Sequence, residues 1–138
     1  MIMKLIELVA CYKALGEAKV TKLEEGEVVK IVKARKAMRP FAEEYDAFLK
    51  DCQEKFKPEN FDEIQGKVQK WNDLSDEEKV ATNKALGEYQ TKINEAVKAE
   101  LEKEVEVSVE KLSESSATKI LLENGWELKK LDEIEVML

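Results

Sequence analysis

The stretch Glu27-Val28-Val29-Lys30-Ile31-Val32-Lys33-Ala34-Arg35-Lys36-Ala37-Met38-Arg39-Pro40-Phe41-Ala42-Glu43-Glu44-Tyr45-Asp46-Ala47-Phe48-Leu49-Lys50-Asp51-Cys52-Gln53-Glu54-Lys55-Phe56-Lys57 decides how this chain folds. Within it Ile31, Met38, Tyr45 and Cys52 recur every seven residues, and Ala34, Phe41 and Phe48 fall three places after the first three. That alternation lays apolar side chains along one side of an α-helix, and Ala42, Leu49 and Phe56 widen the stripe. A helix over 27–57 is about 46 Å long at 1.5 Å per residue. Pro40 lies inside it and offers no amide to the carbonyl of residue 36, yet the heptads resume in phase beyond it. The pattern predicts a kink after Arg39, not an end.

An oily stripe of this length needs a partner of similar reach. Downstream, Ser75 and Glu78 form a capping box, which predicts a helix over residues 76–103 with Val80, Asn83, Leu86, Tyr89 or Gln90, Ile93, Ala96 or Val97, and Leu101 toward the core. The two long helices are expected to pack antiparallel as a hairpin. Shorter helices flank it: Met3 to Leu15, with Leu5, Ile6, Val9, Tyr12 and Leu15 at helical spacing and Gly16 as a stop, and a segment carrying Phe61, Ile64, Val68 and Trp71 after the break Lys57-Pro58-Glu59-Asn60. Leu112 and Ser113 read as a staple and N-cap for a helix over 114–123, closed by Asn124-Gly125. A last helical or mixed segment carries Trp126, Leu128, Leu131, Ile134 and Leu138.

Val105, Val107 and Val109 alternate with Glu104, Glu106, Ser108 and Glu110, a half-buried strand pattern. A lone strand leaves its amides unpaired. The alternating link 18–23 is the favoured partner and the tail Ile134, Val136, Leu138 the other. The expected fold is thus mostly α (α+β), in a single domain over 1–138: a long kinked antiparallel helical hairpin, short flanking helices and a small two-stranded β element.

Composition narrows function by subtraction. The 138 residues carry a net charge of −7 and no histidine, so the commonest general base and the commonest metal ligand are both missing. Cys11 and Cys52 make neither a disulfide framework nor a C-x-x-C pair and read as small buried hydrophobes. Phosphate-cradling glycine loops and nucleophile elbows are absent. The acidic series Glu100, Glu102, Glu104, Glu106, Glu110 lacks the spacing of a calcium loop and reads as a wet face, while Ser113, Ser115 and Ser116 read as capping. No catalytic residue, cofactor or metal is expected. Glu7 interrupts the N-terminal apolar run, which argues against a signal peptide, and no apolar run reaches the roughly 18 residues needed to cross a bilayer. The expectation is a cytoplasmic protein that does not engage membranes.

Two features remain as interaction candidates. Lys30, Lys33, Arg35, Lys36 and Arg39 contain no acid between Glu27 and Glu43 and surround the long helix everywhere except its oily stripe. Such a face suits phosphates, although no aromatic stands among the cations to stack a base. A simpler use is attraction to the acidic second half of the chain, within one molecule or head to tail between copies. Trp71 and Trp126 lie beside turns and are the aromatic anchors to expect on a protein-binding surface.

Tyr12-Lys13-Ala14-Leu15, Lys19-Val20-Thr21-Lys22-Leu23, the segment Ile31 to Met38, Glu104-Val105-Glu106-Val107 and the closing Leu131-Asp132-Glu133-Ile134-Glu135-Val136-Met137-Leu138 resemble small helical proteins of unknown function encoded by phages and by prophages of gut bacteria. Pro58 to Leu74 is an insertion relative to shorter members. The resemblance implies a phage or mobile-element origin near virion assembly, within the bacterial host, and transfers no functional residue. The expected role is a non-enzymatic interaction protein, a phage or prophage assembly or structural accessory factor with a protein partner or self-association. The alternative is a small nucleic-acid-binding regulator using the Lys30 to Arg39 face.

Overall fold

A computed structural model describes all 138 residues. In chain order the elements are strand β1 (Ile2–Lys4), helices α1 (Leu5–Glu17), α2 (Glu25–Lys55) and α3 (Phe61–Gln69), a single 3-10 turn (Trp71–Asp73), helix α4 (Asp76–Leu101), strand β2 (Glu104–Glu106), helix α5 (Glu114–Glu123) and a C-terminal 3-10 segment (Leu128–Met137). The fold is mostly α with one small two-stranded antiparallel sheet. The chain packs as two compact units, one made of residues 1–45 with 101–138 and one of residues 46–100.

Helix α2 runs through Pro40 without ending, and the heptad stripe is its inward side: Ile31, Ala34, Met38, Ala42 and Cys52 are buried. Local chemistry sets the helix starts. At α4 the Ser75 hydroxyl oxygen accepts the Glu78 amide at 3.2 Å, and at α5 the Ser113 oxygen accepts the Ser116 amide at 3.1 Å. Each bond satisfies one of the amides that a first helical turn leaves without a partner.

In the first unit, Leu5, Leu8, Cys11, Ala14 and Leu15 of α1 form a buried stripe against Ile31, Ala34 and Met38, closed by Val105, Val107, Leu112, Ile120, Ile134 and Met137. Burial pushes the Cys11 thiol up to about 12, so it behaves as an inert apolar group. In the second unit, α4 meets α2 where the Tyr89 hydroxyl donates to the Gln53 carbonyl at 2.8 Å, and α3 meets α4 through the Phe61 and Tyr89 rings, 5.4 Å apart. Its buried side chains are Cys52, Ile64, Thr82 and Ile93.

Three expectations are corrected. First, β2 pairs with neither 18–23 nor the tail. Its partner is β1, with Ile2 opposite Glu106, Met3 opposite Val105 and Lys4 opposite Glu104, extended by the Val107 amide donating to Met1 and the Leu5 amide to Lys103, both at 2.9 Å. The helix expected from Met3 therefore begins at Leu5, because Met3 serves the sheet and buries against the core. Second, the link 18–23 is bonded by the side chains of Glu123 and Asn124 at the end of α5. Asn124 accepts from the Lys19 amide at 2.7 Å and returns a bond to its carbonyl at 2.8 Å. Glu123 accepts from the Thr21 hydroxyl and the Lys22 amide, which holds its carboxyl below the usual range. Third, Val80 is 70% exposed and Thr82 is buried in its place. The inward stripe of α4 is Thr82, Leu86, Tyr89, Ile93 at 4, 3, 4 spacing, and Val80 stands about 200° from Thr82 on that helix.

Candidate functional site

The five cations of the basic stretch part company in the folded chain. Lys30 turns back: its ammonium lies 2.8 Å from Glu27 and donates to the Lys111 carbonyl at 3.1 Å. Glu27 in turn accepts the Ser113 amide and the Ser116 hydroxyl, each at 2.8 Å, so it clasps the start of α5. Lys30, then Ser113 and Ser116, hold the Glu27 carboxyl down at about 2. Arg35 also turns inward, its guanidinium 4.5 Å from the Tyr12 ring centre and so close to Gly16 that a Cβ there would meet Nη2 at 3.0 Å. Its Nε is buried with no hydrogen-bond partner. Lys33, Lys36 and Arg39 alone face water.

The Glu27 clasp gives a pH prediction with a definite sign. A carboxyl held at about 2 against an ordinary 4.5 binds its proton less readily folded than unfolded. The stability it contributes is complete above about pH 5 and drains away as pH falls through the carboxylate range. Glu27→Gln is expected to flatten the loss of stability between about pH 5 and pH 2.5. Urea midpoints across that range, equally steep in both proteins, would refute the linkage.

The two tryptophans lie in different units. Trp71, in the 3-10 turn, is half-buried with the Lys79 ammonium 5.9 Å from its ring centre. Trp126 is half-buried and set by the end of α5: Gly125 takes the left-handed conformation at φ 61°, the Trp126 amide donates back to Leu121 at 2.9 Å and the Gly125 amide to Leu122 at 3.3 Å. This closing turn delivers the indole to a groove of about 700 Å³ between α1 and the C-terminal 3-10 segment.

The groove has an apolar floor of Ile6, Ala10, Trp126 and Val136. Ile6, expected in the core, is 50% exposed because it and Ala10 stand beside the buried stripe of α1 and not on it. Glu7, Glu127, Asp132, Glu133 and Glu135 line the rim, against Lys129 and Lys130. Lys130 is already engaged, 2.6 Å from Glu133 and 5.6 Å from the Trp126 ring centre, and Glu133 raises its pKa. The rim therefore presents an excess of negative charge around an oily floor. A second cavity of about 450 Å³, lined by Ile6, Val9, Ala10, Lys13, Tyr45 and Leu101 among others, shares Ile6, Ala10, Lys130 and Glu133 with the first. The two therefore adjoin, with the Lys130–Glu133 pair in the wall of both.

Of the groove, the sequence pointed to Trp126 alone. Ile6 and Ala10 carried a usable signal, since apolar residues at positions 6 and 10 make the apolar face of α1 wider than one buried stripe requires. Val136, Lys130 and Glu133 carried none, because they meet Ile6 and Ala10 only through the packing of the C-terminal 3-10 segment on α1, more than a hundred positions away. Compared with known proteins, the chain matches no family model, no curated protein and no solved structure. No helix is long and apolar enough to cross a membrane.

Proposed function

We propose that this chain is a non-enzymatic interaction protein that takes the apolar ridge of a basic, amphipathic protein segment into the Trp126 groove. The observation that carries the reading is the pairing of an oily floor with an acid-rich rim whose best-placed lysine is already tied to Glu133. Such a trough suits helix-in-groove recognition, in which side chains at i, i+3, i+4 and i+7 enter and flanking cations meet the rim. The resemblance to phage and prophage proteins directs the search for that partner to assembly factors encoded by such elements.

The test uses a synthetic Leu/Lys amphipathic helix of about fifteen residues, long enough to present four turns. Trp71→Phe leaves Trp126 as the one reporter of indole fluorescence. Titration is expected to shift Trp126 emission saturably, and Trp126→Ala, followed by a label on the peptide, to weaken binding by about 30-fold, the effect of losing a central aromatic anchor worth roughly 2 kcal/mol. An unchanged emission, or a Trp126→Ala protein that binds as well as its parent, refutes the groove reading.

The nucleic-acid alternative now rests on Lys33, Lys36 and Arg39, since Lys30 and Arg35 are engaged within the protein. Three phosphate contacts correspond to a slope of about −2.7 in log affinity against log salt, too shallow to hold a duplex tightly at physiological ionic strength.

A further inference from the structure

Helix α2 presents to water a face opposite in character to the groove. At 100° per residue Val29, Val32, Lys33, Lys36, Arg39 and Pro40 fall within an arc of about 120°. Val29 is 42% and Val32 48% exposed, and Lys33, Lys36, Arg39 and Pro40 are exposed as well. The opposite side of the same helix, Ile31, Ala34 and Met38, is sunk in the core, so this ridge points away from its own unit. It is an apolar and basic helical surface with no acid between Glu27 and Glu43. Those are the two properties that the groove asks of its occupant.

We infer that the occupant is a second copy of this chain, whose Val29, Val32, Lys33 and Lys36 ridge seats on the groove floored by Ile6 and Trp126. The inference rests on the groove reading above and adds the identity of the partner. Charge complementarity supports it: the three exposed cations of the ridge meet a rim on which Glu7, Glu127, Asp132 and Glu135 stand beside the tied Lys130–Glu133 pair. Ridge and groove share no residue, so the contact is heterologous. Each copy that joins leaves one free ridge and one free groove at the ends, and assembly continues until a ring closes or a filament grows. A protein that acts in assembly by adding copies in one direction has this property.

Sedimentation velocity on the full chain tests the contact. Wild-type protein is expected to form a concentration-dependent series of species at low salt that shortens at about 0.5 M salt, where charges are screened within a few ångströms. Lys33→Glu with Lys36→Glu on the ridge, and Ile6→Glu in the groove, all replace exposed or half-exposed side chains, and circular dichroism confirms that the variants are folded. Each variant alone is expected to sediment as a monomer. Mixed in equal amounts they are expected to give a one-to-one dimer and nothing larger, because one supplies the intact groove and the other the intact ridge. Wild type that stays monomeric at low salt while binding the Leu/Lys peptide overturns the self-association and leaves the groove reading standing. Failure of both removes both. Assembly by the single variants as strong as wild type, or a mixture that stays monomeric, also overturns the inference.

Discussion

Replacing Leu8 with alanine is expected to lower the stability of the first unit by about 2–5 kcal/mol. Leu8 is 0% exposed and stands in the middle of the α1 stripe, among Leu5, Cys11, Ile31, Met38 and Ile134. Two terms add. Removing three carbons forfeits transfer free energy, and the space left behind collapses only in part because α1 is held from two sides, by the sheet at its start and by the C-terminal 3-10 segment along its length. Chemical denaturation followed by Trp126 fluorescence in the Trp71→Phe background measures the loss. A cost below about 1 kcal/mol would mean the stripe is not close-packed and would undo the description of this core.

Met3→Pro is expected to exceed Met3→Ala by at least about 1–3 kcal/mol, the cost of leaving ladder groups without partners. Met3 does two jobs: its side chain is buried, and its backbone stands opposite Val105 at the centre of the ladder. Alanine removes the first only, with a cost in the range of about 2–5 kcal/mol for a buried methionine. Proline removes the second as well, because it has no amide to give and an edge strand takes proline only where its N–H side faces solvent, whereas Met3 is paired with Val105. Amide exchange separates the two. In Met3→Pro the Val105, Val107 and Leu5 amides lose protection together, whereas in Met3→Ala they keep it relative to the global stability. Identical exchange in the two variants would show that the two-stranded sheet contributes nothing beyond the packing of Met3.

Helix α2 was legible to within two residues at each end because its pattern is self-contained: seven-residue recurrence survives Pro40, and no other element is needed to recognise it. Ser75 and Ser113 were legible for a related reason, since a hydroxyl that satisfies an amide three residues on is a local bargain. Strand β2 was legible as a strand, through Val105 and Val107, but its partner was not. Ile2–Lys4 is only three residues long, too short for alternation to stand out, and about a hundred positions away along the chain. The link 18–23 alternates more convincingly, yet Asn124 and Glu123 satisfy its backbone from the side.

The same division runs through the candidate site. Counting charges found Lys30, Lys33, Arg35, Lys36 and Arg39 as a group, and only packing separates them. Lys30 lies within reach of Glu27 one turn before it, a pairing the spacing permits but does not compel. Arg35 goes to the Tyr12 ring because α1 lies there, with Gly16 leaving room for the guanidinium.

By itself the sequence determined the capped starts of α4 and α5, the apolar side of α2, and that the chain holds no histidine, since composition, period and capping are properties of neighbouring residues. Tertiary structure alone decided which strand pairs with β2, which cations face water, and that Ile6, Trp126 and Val136 share one floor. Those outcomes join residues tens to more than a hundred positions apart. Each is fixed by which buried amides and apolar surfaces must be satisfied at once, a condition that no short window of sequence contains.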